Sequence, residues 1–99
     1  MTFKKGVVVK GVKPETVRAM LTAEVIYASY GYSLVVTSCL EGKHKEGSLH
    51  YSGYAVDLRT MSIPPDKLKE MKGALMIALG VEYDVVLEKD HFHIEYDPR

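Results

Sequence analysis

The chain has 99 residues, 46% of them hydrophobic, and its thirteen basic side chains balance thirteen acidic ones to a formal net charge of zero. That length supports one hydrophobic core and therefore one domain over 1–99, and the neutral balance supplies no field to gather nucleic acid or an anionic membrane. The single cysteine, Cys39, has no partner for an internal disulfide and ends an apolar run, the setting of a buried thiol in a reducing compartment.

In chain order, Met1 to Lys10 sets basic residues before an apolar run of three, Val7 to Val9, far short of a signal-peptide core or a membrane span. The expectation is synthesis in the cytoplasm without a signal peptide, with release or delivery needed for any substrate outside the membrane. Pro14-Glu15-Thr16 opens a helical pattern that runs to about Tyr30 and stops at Gly31, with Val17, Leu21, Val25 and Ala28 recurring on the face expected to be core. Ser33 to Cys39 is β-branched and apolar and predicts a strand, and Leu40 to Gly47, with two glycines and five charged or imidazole side chains, predicts a loop. Tyr54 to Thr60 alternates, with Tyr54, Val56 and Leu58 on one side and Ala55, Asp57 and Arg59 on the other, so Asp57 faces away from the core. Pro64-Pro65-Asp66 starts a second helix whose apolar stripe is Leu68, Met71, Leu75, Met76 and Leu79, closed by Gly80. Tyr83 to Leu87 predicts a strand, and His91 to Tyr96 another, or its continuation after a bend. There His91, His93 and Glu95 share one face and Phe92, Ile94 and Tyr96 the other. Together these elements predict a small α+β domain, a mostly antiparallel sheet with helices on one face and a polar site on the other.

The chemistry concentrates in two segments, Ser48 to Asp57 and Glu88 to His93. An H-x-H on a strand points two imidazoles the same way. His50 and Asp57 lie seven residues apart across a turn that Gly53 eases. Any one of these residues alone would ordinarily be a solvated surface side chain. Together they offer imidazole and carboxylate donors of the kind zinc takes in a catalytic site that leaves a fourth position for water. Glu88 and Asp90 place carboxylates beside the H-x-H, where a metal-activated water needs a general base.

Ser48, His50, Gly53, Ala55 and Asp57 form the pattern Ser-x-His-x-x-Gly-x-Ala-x-Asp, followed by His91-Phe92-His93. This resembles the D-alanyl-D-alanine carboxypeptidase and endopeptidase superfamily of zinc enzymes, which includes phage endolysins, bacterial wall peptidases and the vancomycin-resistance dipeptidases. The hedgehog signalling domain shares that fold and is similar in the same segments. The resemblance covers the chain from the first helix to Tyr96. It implies one zinc per chain held by His50, Asp57 and His93, with His91 beside the bound water. It also implies a catalytic carboxylate three residues before the last ligand, which is Asp90. If His91 were the ligand instead, Glu88 would have that spacing. Many relatives carry an arginine in the loop before the signature, and this chain has Lys43, His44 and Lys45 there. His44, six residues before His50, matches a histidine of the hedgehog domain, which implies a role toward the substrate or transition state. The expected activity is zinc-dependent cleavage of peptidoglycan stem peptides or other D-Ala-containing peptides by a monomer, of the D,D-carboxypeptidase, endopeptidase or L-alanyl-D-glutamate type, in an endolysin or a wall-remodelling enzyme. The alternative is a hedgehog-like metal-binding interaction module without turnover.

Overall fold

In the computed structural model, which describes residues 1–40 and 52–98, the elements follow the order β1 (Thr2–Phe3), α1 (Pro14–Ser29), β2 (Val35–Ser38), β3 (Ala55–Arg59), α2 (Pro65–Leu79), β4 (Tyr83–Leu87) and β5 (His91–Tyr96). The five strands form one sheet in the order β1-β2-β3-β5-β4. Every pairing is antiparallel except β1 with β2, so this is a mixed, mostly antiparallel sheet in an α+β domain. The short parallel strand β1 is an element the sequence pattern did not predict, because two residues are too few to show alternation. Among the described residues, no helix is long and apolar enough to cross a membrane.

Each helix begins where proline can sit without losing a hydrogen bond, since the first turn has no acceptor for its amide. The end of α1 is closed by Gly31 at φ 84°, with Gly31 N–H donating to Ala28 and Tyr32 N–H to Tyr27. This paired arrangement satisfies the last carbonyls and needs a left-handed residue at that point.

The buried side of α1 is Thr16, Ala19, Met20, Ala23 and Tyr27, not the expected stripe. Val17, Leu21 and Val25 are all exposed, Val25 by 70%, and Ala28 is exposed too. Both sets recur with helical spacing, so periodicity identifies the helix without choosing its inner face. Close packing makes the choice: Ala19 and Ala23 let the helix axis approach the sheet, and Tyr27 crosses the gap to donate its hydroxyl to the Arg59 carbonyl at 2.7 Å. Burial holds the Tyr27 phenol well above its usual pKa range. In α2, Met71, Leu75 and Leu79 are buried as expected, whereas Met76 is 51% exposed.

The core joins these helix faces to Val36, Val56, Leu58, Val85, Phe92 and Ile94, the inward residues of four strands. Cys39 is fully buried, as its apolar setting predicted. Because side chains alternate along a strand, burying Val56, Leu58, Phe92 and Ile94 forces Asp57, Arg59, His91, His93 and Glu95 onto the opposite face.

The start of α1 is fastened to the approach to β3. Thr16 Oγ1 and Lys13 N–H both donate to the Gly53 carbonyl, at 2.7 and 3.1 Å. Gly53 has φ 83°, and a Cβ there would lie 2.6 Å from the Gly11 carbonyl oxygen and 3.3 Å from Val12 Cα. The position therefore excludes a side chain both by backbone conformation and by contact with another piece of backbone. Gly53→Ala is expected to destabilise the fold by more than about 1 kcal/mol, read by chemical denaturation. An unchanged denaturation midpoint would show that the Gly11 strap moves freely.

Candidate functional site

The polar face is assembled by the β3–β5 register. Ala55 pairs with Glu95, Asp57 with His93, and Arg59 with His91. Asp57 and His93 are thus directly opposite on adjacent strands, and their side chains meet, with His93 Nδ1 2.9 Å from Asp57 Oδ1. The other ring nitrogen, Nε2, lies 2.8 Å from Glu95 Oε1. A neutral imidazole has one donor nitrogen, but here both nitrogens face carboxylate oxygens, which only accept. His93 is therefore an imidazolium in this arrangement. Its pKa is raised from 6.5 to about 9, chiefly by the hydrogen bond to Asp57, against the opposing effect of burial and with further help from Glu95.

Asp57 also faces the second histidine, with Oδ2 3.7 Å from His91 Nε2. That nitrogen is the same distance from Glu88 Oε1, and His91 Nδ1 is 2.6 Å from Asp90 Oδ1. The hairpin between β4 and β5 sets this up, since Glu88 N–H donates to the His91 carbonyl and the chain turns through Lys89 and Asp90. The bend near Asp90 turns its carboxylate toward His91, not His93. That hydrogen bond is the main reason why the Asp90 carboxyl lies below the ordinary carboxylate range.

A continuous chain therefore runs Glu95–His93–Asp57–His91, ending in Asp90 and Glu88. It contains four carboxylates and two imidazoles, so with both rings protonated it still keeps two negative charges. Asp57 and His93 are 13% and 16% exposed at their side chains, so this charge is held close to the protein. Oxygen and imidazole nitrogen donors with an unbalanced negative charge suit a divalent cation such as zinc. Of the residues expected to hold zinc, Asp57 and His93 are brought together. His50 lies outside the described residues, as do His44 and the Ser48 end of the signature. An imidazolium has no free lone pair, so a metal ion at His93 would have to displace a proton.

Glu95 is the participant to which the sequence reading assigned no role. The signal was present in the alternation His91, His93, Glu95, which puts three polar side chains on one face. Glu95 also belongs to a second group, with Asp84 and Asp97, whose carboxylate oxygens lie within 4.8 Å of one another. Exposed acidic groups of this kind are common without an ion.

The raised pKa of His93 carries a stability consequence with a definite sign. The fold favours the protonated ring, so the stabilisation is fully present below the unfolded value of 6.5 and is lost as pH rises through about 9. In chelator-treated protein, the melting temperature of wild type relative to His93→Gln is expected to fall between pH 6.5 and 9. Parallel curves for the two proteins across that window would contradict the doubly bonded imidazolium.

Compared with known proteins, the chain matches no family model and no curated relative.

Proposed function

We propose that this chain is a zinc-dependent peptidase acting on peptidoglycan stem peptides, with His50, Asp57 and His93 as metal ligands. The observation that supports this reading most is the pairing of Asp57 with His93 across β3 and β5 within a chain of carboxylates and imidazoles that retains net negative charge. When bound, zinc supplies Lewis acidity to a peptide carbonyl and to a water molecule. The chain's own residues supply the remainder. Glu95 holds the His93 ring from the side away from Asp57, which is how an outer partner orients an imidazole for metal binding. Asp90 holds His91 through Nδ1, leaving Nε2 directed at Asp57 and Glu88. With a metal ion held by Asp57 and His93, the His91 ring would relay a proton toward the carboxylates at the hairpin, and Asp90 or Glu88 would take that proton and return it to the leaving amine. Their placement differs: Asp90 is 80% exposed with its pKa held low by His91, and Glu88 is 48% exposed.

Two measurements test the reading. Elemental analysis is expected to find one zinc per chain, lost in His93→Ala and retained in His91→Ala with slower turnover. Metal near zero that added zinc cannot restore would sink the proposal, and the reverse pattern in the two variants would move the ligand to His91. Digestion of purified peptidoglycan, followed by mass spectrometry of the released fragments, reads the activity and identifies the bond cut. Either Asp90→Asn or Glu88→Gln is expected to lower hydrolysis by roughly 10²–10⁴-fold with zinc occupancy intact. Wild type that holds zinc and releases no peptide from any wall type would point to the interaction module instead.

A further inference from the structure

The net charge of zero conceals a segregation of charge. Residues 1–13 hold four lysines, Lys4, Lys5, Lys10 and Lys13, and no acidic residue, whereas residues 82–97 hold six acidic residues and one lysine. Topology separates the two groups, because β1 and β4 are opposite edges of the sheet. A field that cancels over the whole molecule therefore survives locally on the β1 side.

The basic segment is a strap between β1 and α1 with a definite shape. Two β-turns form it, Lys4 to Val7 and Val9 to Val12, each closed by the N–H of its fourth residue donating to the carbonyl of its first, at 3.1 and 3.0 Å. Both turns have glycine in third place, Gly6 at φ 94° and Gly11 at φ 90°, where the chain needs a positive φ. Each turn therefore presents a lysine at its second position, Lys5 in one and Lys10 in the other, at a corner of the chain. The fourth residues, Val7 and Val12, pack against the core and pin both turns to the domain. Between the turns the Val8 carbonyl accepts a hydrogen bond from Leu40 N–H at 3.2 Å. The side chains of Val8 and Val9 are left 45% and 44% exposed between the two lysine corners. The outer lysines serve other surroundings: Lys13 lies over the Tyr54 ring, and Lys4 lines a groove of about 280 Å³ with Asp57 and Arg59 beside the β2 register shift.

Exposed lysines on either side of exposed valines suit a surface that is anionic outside and apolar just beneath. Each lysine close to anionic lipid headgroups strengthens binding about fivefold, and valines add to this by entering the boundary between headgroups and acyl chains. A soluble polyanion offers the charge without the apolar layer. The strap runs past the ends of β2 and β3, where Leu40 and Gly53 bond to it, so a flat surface can meet it and leave the polar face open.

We propose that the Lys5–Lys10 strap docks on an anionic lipid bilayer, with Val8 and Val9 entering the headgroup boundary and the two ammonium groups against lipid phosphates. The attachment is peripheral and salt-sensitive, and it does not rest on the peptidase reading.

Co-sedimentation of the full chain with vesicles, without added metal, tests the docking. Binding to vesicles of phosphatidylcholine with about a third phosphatidylglycerol is expected to be at least tenfold stronger than to phosphatidylcholine alone, and to weaken steeply toward 1 M salt, where the screening length is only about 3 Å. The double variant Lys5→Glu/Lys10→Glu should lose the preference for anionic vesicles. Val8→Ser/Val9→Ser should bind those vesicles about tenfold more weakly at an unchanged melting temperature, since both side chains are exposed. The chain has no tryptophan, so Val8→Trp introduces a single reporter, whose fluorescence should be quenched by brominated lipid on binding. If the lysine variant does not fold, the salt dependence and the Val8→Trp reporter still decide. Equal binding to both vesicle types, anionic binding untouched by either double variant, or a reporter that brominated lipid does not quench overturns the proposal. Binding that inorganic polyphosphate abolishes and that the serine variant leaves unchanged overturns it too, because it makes the strap a site for soluble polyanions.

Discussion

The antiparallel register of β3 on β5 is the constraint on which the rest of this structure depends. It sets Asp57 opposite His93 and Val56 opposite Ile94, so a single pairing decides both the composition of the core and the contents of the polar face. A slip of one residue would turn Asp57 and His93 inward and expose Val56 and Phe92, and the loss of buried apolar surface forbids it. The β3 and β5 residues of the candidate site are therefore as well fixed as the core, because they are the other side of the same strands.

Three long-range ties hold that register from outside the sheet. Tyr27 reaches from α1 to the Arg59 carbonyl, Thr16 from the first turn of α1 to the Gly53 carbonyl, and Thr60 to the Asp90 carbonyl at the hairpin. Together they place the start of β3, its end and the β4–β5 turn with respect to one another. Gly53 has to lack a side chain because backbone from Gly11 passes where a Cβ would be. A glycine of the signature thus acts on the site through the fold, by allowing the chain to enter β3 at the required height.

The electrostatics of the polar face follow from placing four carboxylates around two imidazoles. In the absence of a metal ion, a proton on His93 is the best available counter-charge, which is why its pKa rises to about 9 despite partial burial. A divalent cation bound at this face would have to compete with that proton for the same ring nitrogens. The cations of the face, Arg59 and Lys4, do not neutralise this charge through direct pairs. They lie to one side and give the face an acidic part and a basic part next to each other.

The sequence by itself determined both helices, four of the five strands and the grouping of Asp57, Arg59, His91, His93 and Glu95 on polar strand faces, because period-2 and period-3.6 patterns depend only on local backbone geometry. It also marked Gly53 as a turn residue and Cys39 as buried. It could not decide which of two apolar stripes of α1 faces inward: Val17, Leu21 and Val25 are larger, yet Ala19 and Ala23 are buried, since the choice rests on how closely the helix must approach the sheet. Nor could it show that Asp90 turns to His91, that Glu95 closes on His93, or that a β2 bulge opens a groove toward Lys4. Those contacts join residues through strand register, hairpin shape and a parallel edge strand of two residues, and only the tertiary structure specifies them.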